Sequence, residues 1–421
     1  MSKIEKPENE NYAAVVATLT VLRELEGCDN LLGAPLFGFQ SLVDRTHTAG
    51  ELGVVFTAET QLSDDFCRKN NLYRHTEKNA DPEHAGYLED NRRVRAIKLR
   101  GHQSNCLFMP ISSLAWTGDV SYLKVGDTFD HLNGKEICRK YVIKVPGQNK
   151  QHAQVKKFNR VDPKLFPEHQ DTAQYFRNSH LIPDDQWVYV TQKIHGTSWR
   201  GSRSYVLRKL TLRDRIARKL GVTVQDREWA AVAGSRKVIK DPSNPEQDHF
   251  YTSDIWSAYL DRIEHLIPEG FVVYGELIGY TPEGEEIQKS YSYNIFPGTH
   301  ELFVYRVAFV NPCGVMVDLS WPQVREFCRD RDLNHVPDLW EGPHSDLVAE
   351  DWLDARFADY GYPEALPLGS NKKLVDEGIC IRADGLAPVI LKAKSPIFLG
   401  HETSLMDKGE INLEDVGSDA P

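Results

Sequence analysis

The chain has 421 residues, 41% of them hydrophobic, enough for more than one core and for two domains with connections. Its net charge of −11 argues against broad affinity for nucleic acid, which rests on neutralising phosphates with Lys and Arg, so any such binding must come from local patches. Seven cysteines, scattered singly and never in a C-x-x-C pair, argue against a disulfide framework or a zinc knuckle, and no long apolar run suggests a membrane span, so a reducing, cytoplasmic setting is expected.

Residues 13–25 mix apolar and β-branched side chains and predict a first strand, broken at Gly27-Cys28-Asp29-Asn30. Further strands are predicted over 53–57, 94–99, 106–111 and 141–145, separated by Gly, Asn and Asp turns with little amphipathic helix between them. Several short strands of this kind suggest a small barrel, and residues 1–150 are expected to form an oligonucleotide-binding (OB)-like N-terminal domain. Within 92–102 positive charge recurs, and Arg95, Lys98 and Arg100 are candidate RNA contacts; the alternative is the solvated face of an edge strand. Apolar density falls from 146 to about 180, marking a connection over 151–180 in which 165–170 could dock onto a neighbour.

The second domain, 181–400, opens on a strand-like run at 186–192 that ends in Lys193-Ile194-His195-Gly196-Thr197-Ser198. Lys193 reads as a nucleophile; its amine attacks phosphorus only when neutral, so it needs a pocket that disfavours the charged form. Gly196 would let the backbone turn and approach a phosphate, although a lysine before a glycine turn is also an ordinary exposed strand end. Residues 207–220 set apolar side chains among Arg208, Lys209, Arg213, Arg215, Arg218 and Lys219 and predict an amphipathic basic helix, either on a phosphate backbone or as a solvated face. The run 271–279 presents Glu276 between Gly275 and Gly279, and 302–309 carries Tyr305, an aromatic able to stack on a base or to serve the core. Residues 320–365 look helical and loop-like. Strands are predicted over 376–382 and 390–395, where period-two spacing puts Lys392 and Lys394 on one face. An acidic tail is expected over 401–421.

Taken in order, K-I-H-G-T, S-R, Y-G-E-L-I-G, F-V-Y-R-V, E-G-I-C-I-R and L-K-A-K resemble the collinear motifs of the covalent nucleotidyltransferases: ATP-dependent RNA and DNA ligases and mRNA capping enzymes. His195 in place of the aspartate usual in DNA ligases and capping enzymes, and the stretch Glu286-Ile287-Gln288-Lys289, look like the RNA ligase branch. A barrel-like module in front of the lysine motif is most similar to RNA ligases with an N-terminal OB-type domain. The fold this implies is α+β, with that barrel followed by an antiparallel-sheet nucleotidyltransferase domain.

The resemblance implies an RNA ligase that joins 3′-OH and 5′-phosphate ends through lysyl-AMP, with ATP and Mg2+ or Mn2+ as cofactors. Lys193 would accept AMP; Lys392 and Lys394 would contact the α-phosphate; Glu276 would hold the ribose; Tyr305 would stack on adenine. Arg236 would contact the nucleotide or the RNA end, His195 and Gly196 would lie at the phosphates, and Glu377 would hold the metal. RNA ends or a nicked duplex are the implied partners, with an end-healing enzyme as another. Arg306 departs from the pattern, since many RNA ligases have an acidic residue there. A DNA ligase or a capping-type guanylyltransferase is the rival within this chemistry, and a noncatalytic RNA-binding protein on a ligase scaffold is the rival outside it.

Overall fold

β-branched and aromatic runs in the second half of the chain form its central strands, as such side chains do on a pleated, half-buried surface. The protein's structure, a computed structural model, describes residues 4–143, 160–241, 247, 250–353, 356–362 and 364–409. It is a mixed α+β fold dominated by antiparallel sheets.

The N-terminal module holds β1 (Ala14–Thr18), β2 (Arg23–Glu24), β3 (Leu31–Leu36), β4 (Phe39–Asp44), β5 (Leu52–Thr57), helix α1 (Asp64–Lys69), β6 (Cys106–Pro110) and β7 (Thr128–Phe129). One sheet has the order β7-β1-β5-β6 and a second the order β2-β3-β4. The first sheet is buried on both faces, as strand alternation allows: Val16, Val54 and Phe56 enter one core with Phe66 and Phe129, while Ala17 and Val55 enter another with Leu32 and Phe108. Among the described residues these are separate sheets, not one closed barrel.

The expected strand at 13–25 is divided in two. Leu19 leaves the ladder to exchange backbone bonds with Glu51 and Gly50, and the chain then turns to pair β2 with β3. The strand expected over 94–99 shortens to Ile97–Leu99, because the Val94 backbone is bonded to Glu59 and Thr60 instead. Of the strand expected over 141–145, residues 144 and 145 lie outside the described residues, as do 146–159 of the connection and 410–421 of the tail.

The second module carries β8 (Trp187–Gln192), β9 (Thr197–Leu207), α2 (Leu212–Lys219), β10 (Arg227–Gly234), α3 (Ile255–Ile263), β11 (Phe271–Gly279), β12 (His300–Val310), β13 (Met316–Asp318), α4 (Trp321–Arg329), β14 (Asp338–Pro343), β15 (Gly378–Ala383), β16 (Val389–Lys394) and α5 (Pro396–Asp407). One sheet runs β10-β9-β11-β12-β13. The other runs β16-β15-β8-β14, with the short strand Ala173–Gln174 added in parallel to β16. Helices α3 and α4 cover the first sheet through a core that includes Trp199, Trp256, Trp321 and Phe327. The helix expected over 207–220 begins later because β9 stays paired with β10 as far as Leu207; α2 then starts at a capping box made by Thr211 and Asp214. The connection docks as its apolar pair suggested: Leu165 and Phe166 are buried, and their carbonyls accept from Ser204 and Arg200.

Candidate active site

The two sheets of the second module bring residues of β8, β11, β12, β15 and β16 around one cavity of about 930 Å3. Lys193 follows β8 directly, and its backbone N–H donates to the Gly378 carbonyl at 2.9 Å, fixing the turn against the start of β15. That bond places the Lys193 ammonium 2.6 Å from Glu377 Oε1. Lys394, near the end of β16, reaches the same oxygen at 2.9 Å. His195 Nδ1 lies 3.6 Å from the other oxygen, Oε2. Glu377 is almost fully buried. Burial alone would push its carboxyl up, but Lys193, Lys394 and His195 outweigh it and hold the group well below the usual carboxylate range. Lys193 is therefore the ion-paired partner of an ionised carboxylate.

His195 is held from several sides. Its backbone N–H donates to the Tyr293 hydroxyl at 2.7 Å, and its ring meets Tyr291 and Phe398 edge-on at 5.0 and 4.9 Å. Gly196 has no left-handed backbone; a Cβ there would lie 2.3 Å from the Leu277 carbonyl oxygen, so the glycine is demanded by the close approach of the loop to β11. Gln288 fastens the same loop by donating to the Gly196 carbonyl at 2.6 Å. The sharp turn expected of Gly196 is thus a packing requirement.

Glu276, Tyr305, Arg236 and Lys392 line the cavity with Lys193 and Lys394. Glu276 faces Ser198 across the β9–β11 ladder. Tyr305 sits where the β11–β12 register shifts: Tyr274 pairs with Arg306 and Gly275 with Val304, leaving Tyr305 as the extra residue of a bulge that aims it into the cavity. Its hydroxyl is 2.5 Å from His169 Nδ1. Arg236 pairs with Asp171, whose carboxyl burial raises and Arg236 lowers, with a net lowering. Lys392 and Lys394 share a strand face, as their spacing requires.

Arg306 lies within β12 and forms a buried, two-bond ion pair with Asp318 of β13, at 2.5 and 3.1 Å. The three N-terminal candidates are not among the cavity-lining residues. Arg95 lies 3.4 Å from Asp407 of α5, Arg100 donates to the Gly27 carbonyl, and Lys98 is exposed on its short strand. The N-terminal wall of the cavity instead includes Tyr12, Arg139 and Lys140. Sequence reading missed Arg139 and Lys140 because the pairing of Cys138–Lys140 with Thr60–Leu62 carries them there. Glu402 was missed as well; it lies 3.5 Å from Lys394.

All seven cysteines are free, and no described helix is long and apolar enough to cross a membrane. The fold resembles that of Naegleria gruberi RNA ligase with PPi: 15% identity, TM-score 0.60, covering 94% of this chain and 99% of that one. An apo mutant of that enzyme matches with 16% identity and TM-score 0.59 over 96% and 100% of the two chains, and a mutant with ATP and Mn with 15% and 0.57 over 94% and 99%. At these identities the likeness is one of fold. No curated protein matches the chain significantly. Residues 186–394 match the family described as RNA ligase. Over that segment the chain is similar to the RNA ligase family, a family of enzymes.

Proposed function

We propose that the protein is an ATP-dependent RNA ligase that joins a 3′-OH to a 5′-phosphate through lysyl-AMP and AMP-capped RNA. The observation that carries this reading is the convergence of Lys193, Lys394 and His195 on the buried carboxylate of Glu377, with Lys193 and Lys394 lining a cavity also walled by Glu276, Tyr305, Arg236 and Lys392. Naegleria gruberi RNA ligase, which shares the fold, has been seen with PPi, with AMP and Mn, and with ATP and Mn.

In this reading Lys193 Nζ forms a bond to the α-phosphorus of ATP and the bond to pyrophosphate breaks. Lys193 rests as an ammonium against Glu377, so it must leave that pair and give up a proton before it attacks. Lys392 and Lys394 face the α-phosphate and stabilise the charge that gathers on it; in phosphoryl transfer, positioning and electrostatics supply most of the rate. Glu276 accepts hydrogen bonds from the ribose hydroxyls, Tyr305 stacks on adenine, and Arg236 holds the nucleotide or the RNA end. His195 and Gly196 shape the loop beneath the phosphates.

Among the described residues no three His, Cys, Asp or Glu side chains converge as a metal cage. The buried carboxylate of Glu377 fits a hard cation that takes one or two carboxylates and completes its shell with phosphate oxygens and water. Mg2+ or Mn2+, when bound with ATP, neutralises phosphate charge. Of the tail expected over 401–421, residues 401–407 instead belong to helix α5. The division into an N-terminal module over 1–150, a connection over 151–180 and a nucleotidyltransferase domain over 181–400 belongs to the same proposal. So do an OB-like character for the first module, RNA contacts by Arg95, Lys98 and Arg100, a cytoplasmic setting and an end-healing partner. Nick sealing in RNA repair is the favoured task, since an added module suits structured ends. The test is a nicked RNA duplex with a 5′-phosphate, incubated with the full chain, ATP and Mg2+ or Mn2+. A sealed strand that requires ATP supports the reading; no product with either metal, from RNA or mixed RNA–DNA nicks, defeats it.

A further inference from the structure

Helix α5 follows the strand that carries Lys394, and nothing in the six sequence motifs reaches it. Its side chains at i and i+4 form two stripes. Along one stripe, Phe398 is fully buried, meets His195 edge-on and lies 5.3 Å beneath Lys394 Nζ, and Glu402 places Oε2 3.5 Å from the same ammonium. Along the other, Leu399 enters the N-terminal core with Ala17, Leu32 and Phe108. Thr403 Oγ1 donates to Glu59 Oε1 at 2.8 Å and accepts from the Ala96 N–H at 3.2 Å. Arg93, itself 2% exposed, donates to the Thr403 carbonyl and to Asp407. One face of α5 is therefore part of the N-terminal module, and the other is part of the lysine–carboxylate cluster.

Charge in that cluster gives Glu402 a task. A single oxygen, Glu377 Oε1, receives both Lys193 and Lys394. A half-buried ammonium is steadied by a paired partner, and Glu377 must exchange partners whenever Lys193 leaves it to react. A second carboxylate on Lys394 keeps that ammonium in place through the exchange. We propose that Glu402 is a positioning residue for Lys394, and that α5 thereby makes the seating of the N-terminal module a condition of fast adenylylation. This rests on the reading of Lys193 as the AMP acceptor. The partner that acts on α5 is the chain's own N-terminal module, through Glu59, Arg93 and Ala96.

The experiment follows the rate of covalent AMP labelling of the full chain from α-labelled ATP at varied ATP. Glu402→Ala is expected to lower the maximal rate about tenfold and leave half-saturating ATP within about twofold of wild type, because positioning of a transition-state contact is lost and ground-state binding is not. Glu402→Gln keeps an acceptor without the charge and is expected to lose about threefold. Thr403→Val, which cuts the link to Glu59 and leaves Glu402 itself, is expected to show the same rate-only signature at about threefold. Wild-type maximal rates in both Glu402 variants overturn the positioning role, as does a loss confined to ATP half-saturation. A wild-type rate in Thr403→Val overturns the coupling. If Glu402→Ala does not fold, the near-isosteric Gln variant decides by the same criterion. If the wild-type chain takes no label at all, the ligase reading fails and not merely this inference.

Discussion

Replacing Asp318 by Asn tests why an arginine stands at position 306. Arg306 and Asp318 bury their side chains to 4% and 6% exposure and share two hydrogen bonds. Arg306 also lies over the Tyr274 ring, 4.8 Å from its centroid. An exposed pair would contribute under about 1 kcal/mol, but breaking a pair this buried costs about 3–5 kcal/mol, because the remaining charge is left uncompensated. With a urea dependence of about 2 kcal/mol per molar, Asp318→Asn should lower the unfolding midpoint by about 1.5–2.5 M. The double variant Arg306→Met, Asp318→Leu removes both charges and should recover most of that loss, since matched apolar replacement of a buried pair is often neutral or stabilising. Urea unfolding followed by tryptophan fluorescence, run as a double-mutant cycle, measures both. A single variant within about 1 kcal/mol of wild type, or a double variant no better than the single, would refute the argument.

Tyr305→Ala should raise half-saturating ATP in the labelling assay about tenfold, and Tyr305→Phe, which keeps the ring and loses the hydroxyl's bonds to His169 and Ser198, about twofold; equal values for Ala and wild type would remove adenine stacking from Tyr305. Gly196→Ala forces a Cβ to within 2.3 Å of the Leu277 carbonyl and should cost more than about tenfold in labelling rate through displacement of the loop; a wild-type rate would show that the loop yields freely. Asp376 predicts a pH effect. Burial pushes it up to about 6 from 3.8, against hydrogen bonds from Phe357 and Gln192. The folded state then binds this proton more tightly than the unfolded chain, so the stability it contributes is full below about pH 4 and is lost as pH rises through about 6. The difference in urea midpoint between wild type and Asp376→Asn should change across that window, and a flat difference would contradict the assignment.

Much of the second module was legible because its strands are the kind that sequence announces. The run 271–279 became β11 with the same bounds, and 302–309 lies wholly inside β12. Lys193, Glu276, Tyr305, Lys392 and Lys394 fall on strands or just after one, where period-two spacing fixes direction, and they line one cavity, with Glu377 paired to Lys193. Strand β9 was hidden because its Ser, Arg and Gly residues, Ser202 and Arg200 among the most buried, show no apolar alternation; its burial comes from neighbouring strands and from the docked connection. The β3–β4 hairpin was hidden by Gly33 and Pro35 inside a strand, and its turn at Phe37 and Gly38 takes two positive φ values with a bulky residue first. The pairing of Arg95 with Asp407 had no local signal, because the two stand far apart along the chain. Glu402 had no local signal because its meaning lies in where α5 packs.

The central claim is that Lys193 accepts AMP. The most direct measurement is denaturing electrophoresis of the full chain after incubation with α-labelled ATP or α-labelled GTP and Mg2+ or Mn2+, for wild type and Lys193→Ala. Covalent label from ATP alone, mapped to the peptide that contains Lys193 and absent from the variant, is the predicted result. Label that persists in Lys193→Ala, or that comes from GTP in place of ATP, would contradict it.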